Sequence, residues 1–243
     1  MYDLLPTEDI LKEAKYNDDQ GVLRYSIVTS GKRLTDEEVD QVCESIRKIK
    51  EETNIEVCFS FGLLKEEQLR KVREAGATRA HCNLETSRRY FPEICTTHTY
   101  DQKIETLKAA VAAGLSICSG GIMGLGETLE DRVDMVFTVK ELGVKSVPVN
   151  FLNPIPGTPY EDNKPLTDEE ARQCVAVFRF IIPDASIRLA GGRGLLDDKG
   201  KECFRSGANA AISGDMLTTA GITVQKDMEM LKDLGYKPQL WED

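Results

Sequence analysis

The chain has 243 residues, 41% of them apolar, and a formal net charge of −10 from 31 basic and 41 acidic side chains. That length and apolar content suffice for one large core, so a single domain over 1–243 is expected. An acidic balance offers no basic stripe for nucleic acid or anionic lipid, and no apolar run approaches the roughly 20 residues that span a bilayer, which leaves small molecules as the expected partners.

A helical stretch over Thr7–Lys15 comes first. Short β-branched runs then alternate with segments whose apolar period is near 3.6. Strands are expected at Leu23–Ser30, Ile55–Gly62, Arg79–Glu85, Leu115–Gly121, Ser146–Leu152, Ser186–Gly192 and Ala210–Asp215. Thr35 precedes Glu38 as a helix N-cap, Thr128 opens Leu129–Leu142, Thr167 opens Asp168–Ile182, and a last helix covers Val224–Leu234. Each helix of a (β/α)8 TIM-type barrel follows a strand, so eight helices with seven strands read as such a barrel with its first strand missing. An open doubly wound sheet is the structural alternative.

A barrel places its chemistry at the C-terminal ends of its strands. Those ends carry Thr29-Ser30-Gly31, Asn83-Leu84-Glu85, Ser119-Gly120-Gly121 running into Gly124-Leu125-Gly126-Glu127, Asn150 with Asn153, Gly191-Gly192-Arg193, and Gly214-Asp215. Turn chemistry alone explains Gly and Ser at any one of them; the repetition points to a crowded ligand site. The start of the chain, Met1-Tyr2-Asp3-Leu4-Leu5-Pro6, has no basic region with an apolar segment behind it, so a cytoplasmic location is expected. Seven cysteines in that setting read as reduced thiols, metal ligands or core fillers. Cys43, Cys174 and Cys203 fall on helix faces and read as core. Cys58 and Cys118 lie in strands and can face a barrel lumen, where metal ligation and packing both stay open.

The runs Cys95–Tyr100 (CTTHTY), Cys118–Thr128 (CSGGIMGLGET), Ser146–Leu152 (SVPVNFL), Asn153–Pro159 (NPIPGTP) and Arg188–Arg193 (RLAGGR) resemble biotin synthase, in that family's order and over nearly the whole chain. The resemblance implies a radical S-adenosylmethionine enzyme that inserts sulfur from an auxiliary iron–sulfur cluster into dethiobiotin. It implies a [4Fe–4S] cluster, a reductant such as flavodoxin or ferredoxin, and a homodimer. It assigns Asn83, Glu85, Lys103 and Ile122 to S-adenosylmethionine, with Lys103 at the methionyl carboxylate and Ile122 at the adenine. Asn150 and Asn83 fall to dethiobiotin, Asn150 at its ureido ring. Cys58, Cys118 and Arg188 match ligands of the auxiliary cluster, Arg188 either as an unusual ligand or as a hydrogen-bond donor to cluster sulfide. No residue is assigned as a catalytic acid, base or nucleophile.

Two departures stand out. No Cys-x3-Cys-x2-Cys triplet is present to hold a [4Fe–4S] cluster with one open iron, so the 243 residues alone are not expected to cleave S-adenosylmethionine reductively. Ser26 stands where many members have a further cysteine of a [2Fe–2S] cluster, whereas Cys82 lies beside Asn83, which fits a variant auxiliary cluster. Strand alternation opposes an inward Cys82 next to an inward Asn83 unless a bulge intervenes. Two other readings stay open: a noncatalytic barrel that binds S-adenosylmethionine, dethiobiotin or a partner, and a phosphate-binding barrel enzyme using Gly191-Gly192 and Gly214.

Overall fold

The computed structural model describes residues 4–214 and 221–240. In chain order its elements are α1 (Thr7–Asp19), β1 (Arg24–Val28), α2 (Asp36–Glu52), β2 (Glu56–Ser60), α3 (Glu66–Glu74), β3 (Arg79–His81), α4 (Phe91–Ile94), α5 (Tyr100–Ala112), β4 (Ser116–Cys118), β5 (Gly121–Met123), α6 (Leu129–Glu141), β6 (Ser146–Phe151), α7 (Asp168–Ile181), β7 (Ser186–Leu189), α8 (Lys201–Arg205), β8 (Ala210–Ala211) and α9 (Val224–Asp233). They group into two compact units. One comprises residues 4–82, 101–117 and 237–240, the other 83–100, 118–214 and 221–236.

In the first unit β1 pairs with β2 and β2 with β3, all in parallel, with Ser26 opposite Cys58 and Cys58 opposite Arg79. Thr35 caps α2 as expected: its hydroxyl accepts the Glu38 N–H at 3.3 Å and the Glu38 carboxylate accepts the Thr35 N–H at 2.7 Å. Behind that cap Val39, Val42, Cys43, Ile46 and Ile49 recur at helical spacing and are buried, which makes Cys43 a core residue. Helix α1 runs past Lys15 to Asp19, since nothing breaks it before Gly21 at φ 78°.

In the second unit β5 pairs with β6, β6 with β7 and β7 with β8, again in parallel, and Cys118 at the end of β4 lies opposite Ser146. The run expected as one strand, Leu115–Gly121, is two strands that reach on to Met123. Pro148 sits in β6 beside the break and has no N–H to donate to a ladder. A Cβ on Gly120 would come within 2.0 Å of the Pro148 carbonyl oxygen, so only glycine allows this approach. Thr128 and Thr167 open α6 and α7 as expected, and each forms a reciprocal capping box, with Asp131 and Glu170.

Three further boundaries differ from expectation. β7 stops at Leu189, and Gly192, at φ 77°, feeds one 3-10 turn over Arg193–Leu195. β8 is only Ala210–Ala211, and Asp215 lies outside the described residues. β3 stops at His81, so Cys82 and Asn83 are not successive strand positions and the alternation argument against Cys82 does not apply. No helix among the described residues is long and apolar enough to cross a membrane.

Candidate functional site

Four of the expected ligand residues converge in the second unit around Gly120-Gly121. Glu85 has φ 71°, a left-handed conformation that costs a non-glycine residue on the order of 1 kcal/mol. Its backbone is held from both sides, donating to the Gly120 carbonyl at 3.1 Å and accepting from the Ile122 N–H at 2.9 Å. A Cβ at Gly121 would lie 2.3 Å from the Glu85 carbonyl oxygen, which explains the glycine. Asn83 accepts the Gly120 N–H at 3.1 Å. Asn150, opposite Ile122 on β6, donates to the Gly121 carbonyl at 3.1 Å and accepts the Gly191 N–H at 2.9 Å. One amide hydrogen and one lone pair of Asn150 are thereby fixed, and one of each is left to direct at a ligand.

Cys118 lies deeper in the same unit and is 1% exposed. Arg188 Nη2 is 2.7 Å from its sulfur, and the Ser146 hydroxyl is 3.6 Å away. Arg188 Nε is buried without a hydrogen-bond partner among the described residues. A thiol facing a guanidinium that keeps a donor unsatisfied is a donor set for an anionic, sulfur-rich group, so these residues fit an auxiliary cluster.

In the first unit Cys58 is buried and its registered neighbours are Ser26, which is exposed, and Arg79, which is buried. Arg79 Nε donates to Ser116 at 3.1 Å. Lys103 stands half-buried on α5, and Cys82 is buried. The helix cysteines are different in kind. Burial pushes the Cys43 and Cys174 thiols up, and Cys203 up to about 12, which keeps them protonated and poor as ligands.

The segment behind Glu85 is tied to α6 by a single carboxylate. Asp131 is buried and accepts from the Ser87 hydroxyl, from Arg89 Nε at 3.0 Å and Nη2, and from the Thr128 N–H and hydroxyl, each at 2.9 Å. Burial opposes ionisation, but these donors outweigh it and hold the carboxyl well below the usual range. A depressed folded-state pKa contributes stability above the unfolded value near 4 and loses it as pH falls further. Asp131→Asn is therefore expected to flatten the acid limb of the stability curve below about pH 4, measured by urea melts against pH; an unchanged limb would contradict this.

A Radical SAM superfamily model matches residues 1–139, and a model of the Biotin and Thiamin Synthesis associated domain matches 148–237. The biotin synthase of Akkermansia muciniphila is 58% identical over 239 residues, 98% of this chain and 74% of that protein. That of Brachyspira hyodysenteriae is 57% identical over 242 residues, 100% of this chain and 73% of its own length. The chain belongs to the biotin synthase family. Solved structures place it in the same fold class: methylornithine synthase has a TM-score of 0.84 at 20% identity, covering 98% of this chain and 75% of that one. HydG, a maturase of the [FeFe]-hydrogenase, has 0.82 at 18%, covering 99% and 58%. The fold class is thus the parallel (β/α) barrel type of radical SAM proteins, as the strand and helix rhythm suggested, and the family assignment agrees with the motifs at Cys118–Thr128 and Arg188–Arg193.

Proposed function

We propose that this biotin synthase family member inserts sulfur into dethiobiotin with S-adenosylmethionine as co-substrate. S-adenosylmethionine would supply a hydrogen-abstracting radical once cleaved at a reduced [4Fe–4S] cluster, for which these 243 residues hold no Cys-x3-Cys-x2-Cys triplet, and an auxiliary iron–sulfur cluster would supply the sulfur. The chain's own residues bind and orient. Glu85 accepts hydrogen bonds from ribose hydroxyls, Ile122 lies against adenine, Asn83 holds ligand through its amide, and Lys103 pairs with the methionyl carboxylate. Asn150 offers a donor and an acceptor to the ureido ring. Cys118 and Arg188 face the auxiliary cluster, and Cys58 is assigned to it by family resemblance alone. The same resemblance brings a [4Fe–4S] cluster, an auxiliary cluster of [2Fe–2S] or variant type, a flavodoxin- or ferredoxin-type reductant and a homodimer into the proposal.

The observation that carries the reading is the Asn83–Gly120–Gly121–Asn150 network with strained Glu85 at its edge, in a chain 58% identical to a biotin synthase. Calorimetric titration of the anaerobically prepared protein with S-adenosylmethionine and with dethiobiotin tests it. Saturable binding of both is expected; a folded protein that binds neither would overturn it. The strain gives a second check. Glu85→Gly removes the cost of positive φ and is expected to stabilise the fold by about 0.5–1 kcal/mol while weakening S-adenosylmethionine binding. A variant that melts lower and binds as tightly would contradict the assignment.

A further inference from the structure

We infer that Asp131 is the positioning residue for the Glu85 carboxylate, acting through the Ser87-Arg88-Arg89 segment; the inference rests on the reading above that Glu85 binds the adenosyl ribose. The argument starts from strain. A residue held at φ 71° returns to negative φ unless its surroundings fix both of its flanks. The upstream side of Glu85 is fixed by Asn83 on Gly120, and Glu85 itself by its two bonds to Gly120 and Ile122. The downstream side depends on Ser87, whose hydroxyl donates to Asp131 and accepts the Tyr90 N–H at 3.0 Å, and on Arg89, whose fork closes on the same carboxylate.

Helix capping alone does not account for this carboxylate. Glu38 and Glu170 occupy the corresponding position in α2 and α7 and cap through their own threonines. Asp131 does that for Thr128 and additionally takes up Ser87 and Arg89, while only 1% exposed. Burying a charge there is costly unless it is fully paired, and its donors come from the two segments that frame the adenosyl-binding residues: 85–90 after Glu85 and Thr128 after the Gly-rich turn. Without the carboxylate, Ser87 and Arg89 lose their anchor, the turn relaxes, and the Glu85 side chain leaves its position while the barrel strands remain paired.

The test is a double-mutant cycle on S-adenosylmethionine affinity, using wild type, Asp131→Asn, Glu85→Gln and the double variant, with Glu130→Gln as an exposed control on the same helix turn. All are measured well below their melting temperatures. Asp131→Asn is expected to weaken binding about tenfold in the wild-type background and less than twofold in the Glu85→Gln background. Amide exchange at Ile122, which donates to Glu85, is expected to speed up in Asp131→Asn. Arg89→Met removes only the guanidinium fork and should show a smaller loss with the same dependence on Glu85, which keeps the test valid if Asp131→Asn fails to fold. Equal losses in both backgrounds, or no loss with only a lower melt, would show a purely structural carboxylate and overturn the inference. If wild type binds no S-adenosylmethionine, the functional reading fails and the positioning role falls with it.

Discussion

Asp227→Ala is expected to cost about 3–5 kcal/mol of stability, a fall in melting temperature on the order of 10 °C for a chain of this size. Asp227 on α9 pairs with Arg193 of the 3-10 turn through a two-pronged bridge, Nη1 to Oδ1 at 2.9 Å and Nη2 to Oδ2 at 2.6 Å. Arg193 is 1% exposed, and its remaining contacts are long ones to the Lys199 and Ile212 carbonyls, at 3.4 and 3.3 Å. Gly200, at φ 90°, closes over the arginine stem, where a Cβ would sit 3.1 Å from its Cγ. Removing the carboxylate leaves a buried guanidinium uncompensated, which costs more than the pair contributes. Arg193→Met with Asp227→Leu together should recover much of the loss. A thermal melt decides it: a single variant that falls by less than about 1 kcal/mol would mean that α9 is held by other contacts.

Asn150→Leu is expected to weaken dethiobiotin binding by about a hundredfold or more. The substitution strands the Gly121 carbonyl and the Gly191 N–H, which the amide now satisfies at 3.1 and 2.9 Å, and it removes the donor and acceptor proposed for the ureido ring. Leaving buried polar groups unpaired costs about 1–3 kcal/mol each, and a site built to hydrogen-bond its ligand discriminates strongly once a partner is gone. Asn150→Asp keeps the acceptor toward Gly191 but turns the donor edge into a second acceptor facing the Gly121 carbonyl, so it should not restore binding. Titration with dethiobiotin reads both variants. Near-wild-type affinity in Asn150→Leu would remove this residue from the substrate site.

Much of this was legible in the sequence where the signal is local. The capping threonines Thr35, Thr128 and Thr167 fixed three helix starts because the cap and its N3 acid lie three residues apart. Asn83, Glu85, Ile122 and Asn150 stand at strand ends that the Gly-rich runs mark in the sequence, and the structure joins them in one hydrogen-bond network. What stayed hidden is tertiary. The break between β4 and β5 depends on Pro148 in a strand 28 residues beyond Gly120, and the early end of β3 removed the alternation argument about Cys82. Asp131 stands three residues after Thr128 and carries no other local signal; its ties to Ser87 and Arg89 cross 44 and 42 residues. Arg193 and Asp227, 34 residues apart, carry no periodic or motif signal at all.

The most direct measurement of the central claim counts iron and acid-labile sulfide per chain after anaerobic reconstitution, in wild type, Cys118→Ala, Cys174→Ala and Cys43→Ala. Cys118 faces the Arg188 guanidinium at 2.7 Å, whereas Cys174 and Cys43 are helix-face thiols that burial holds protonated. The expected result is that Cys118→Ala loses the auxiliary iron and sulfide while Cys174→Ala and Cys43→Ala keep them. Full iron and sulfide in Cys118→Ala, with a loss in either helix variant, would contradict the assignment of the sulfur-donating site.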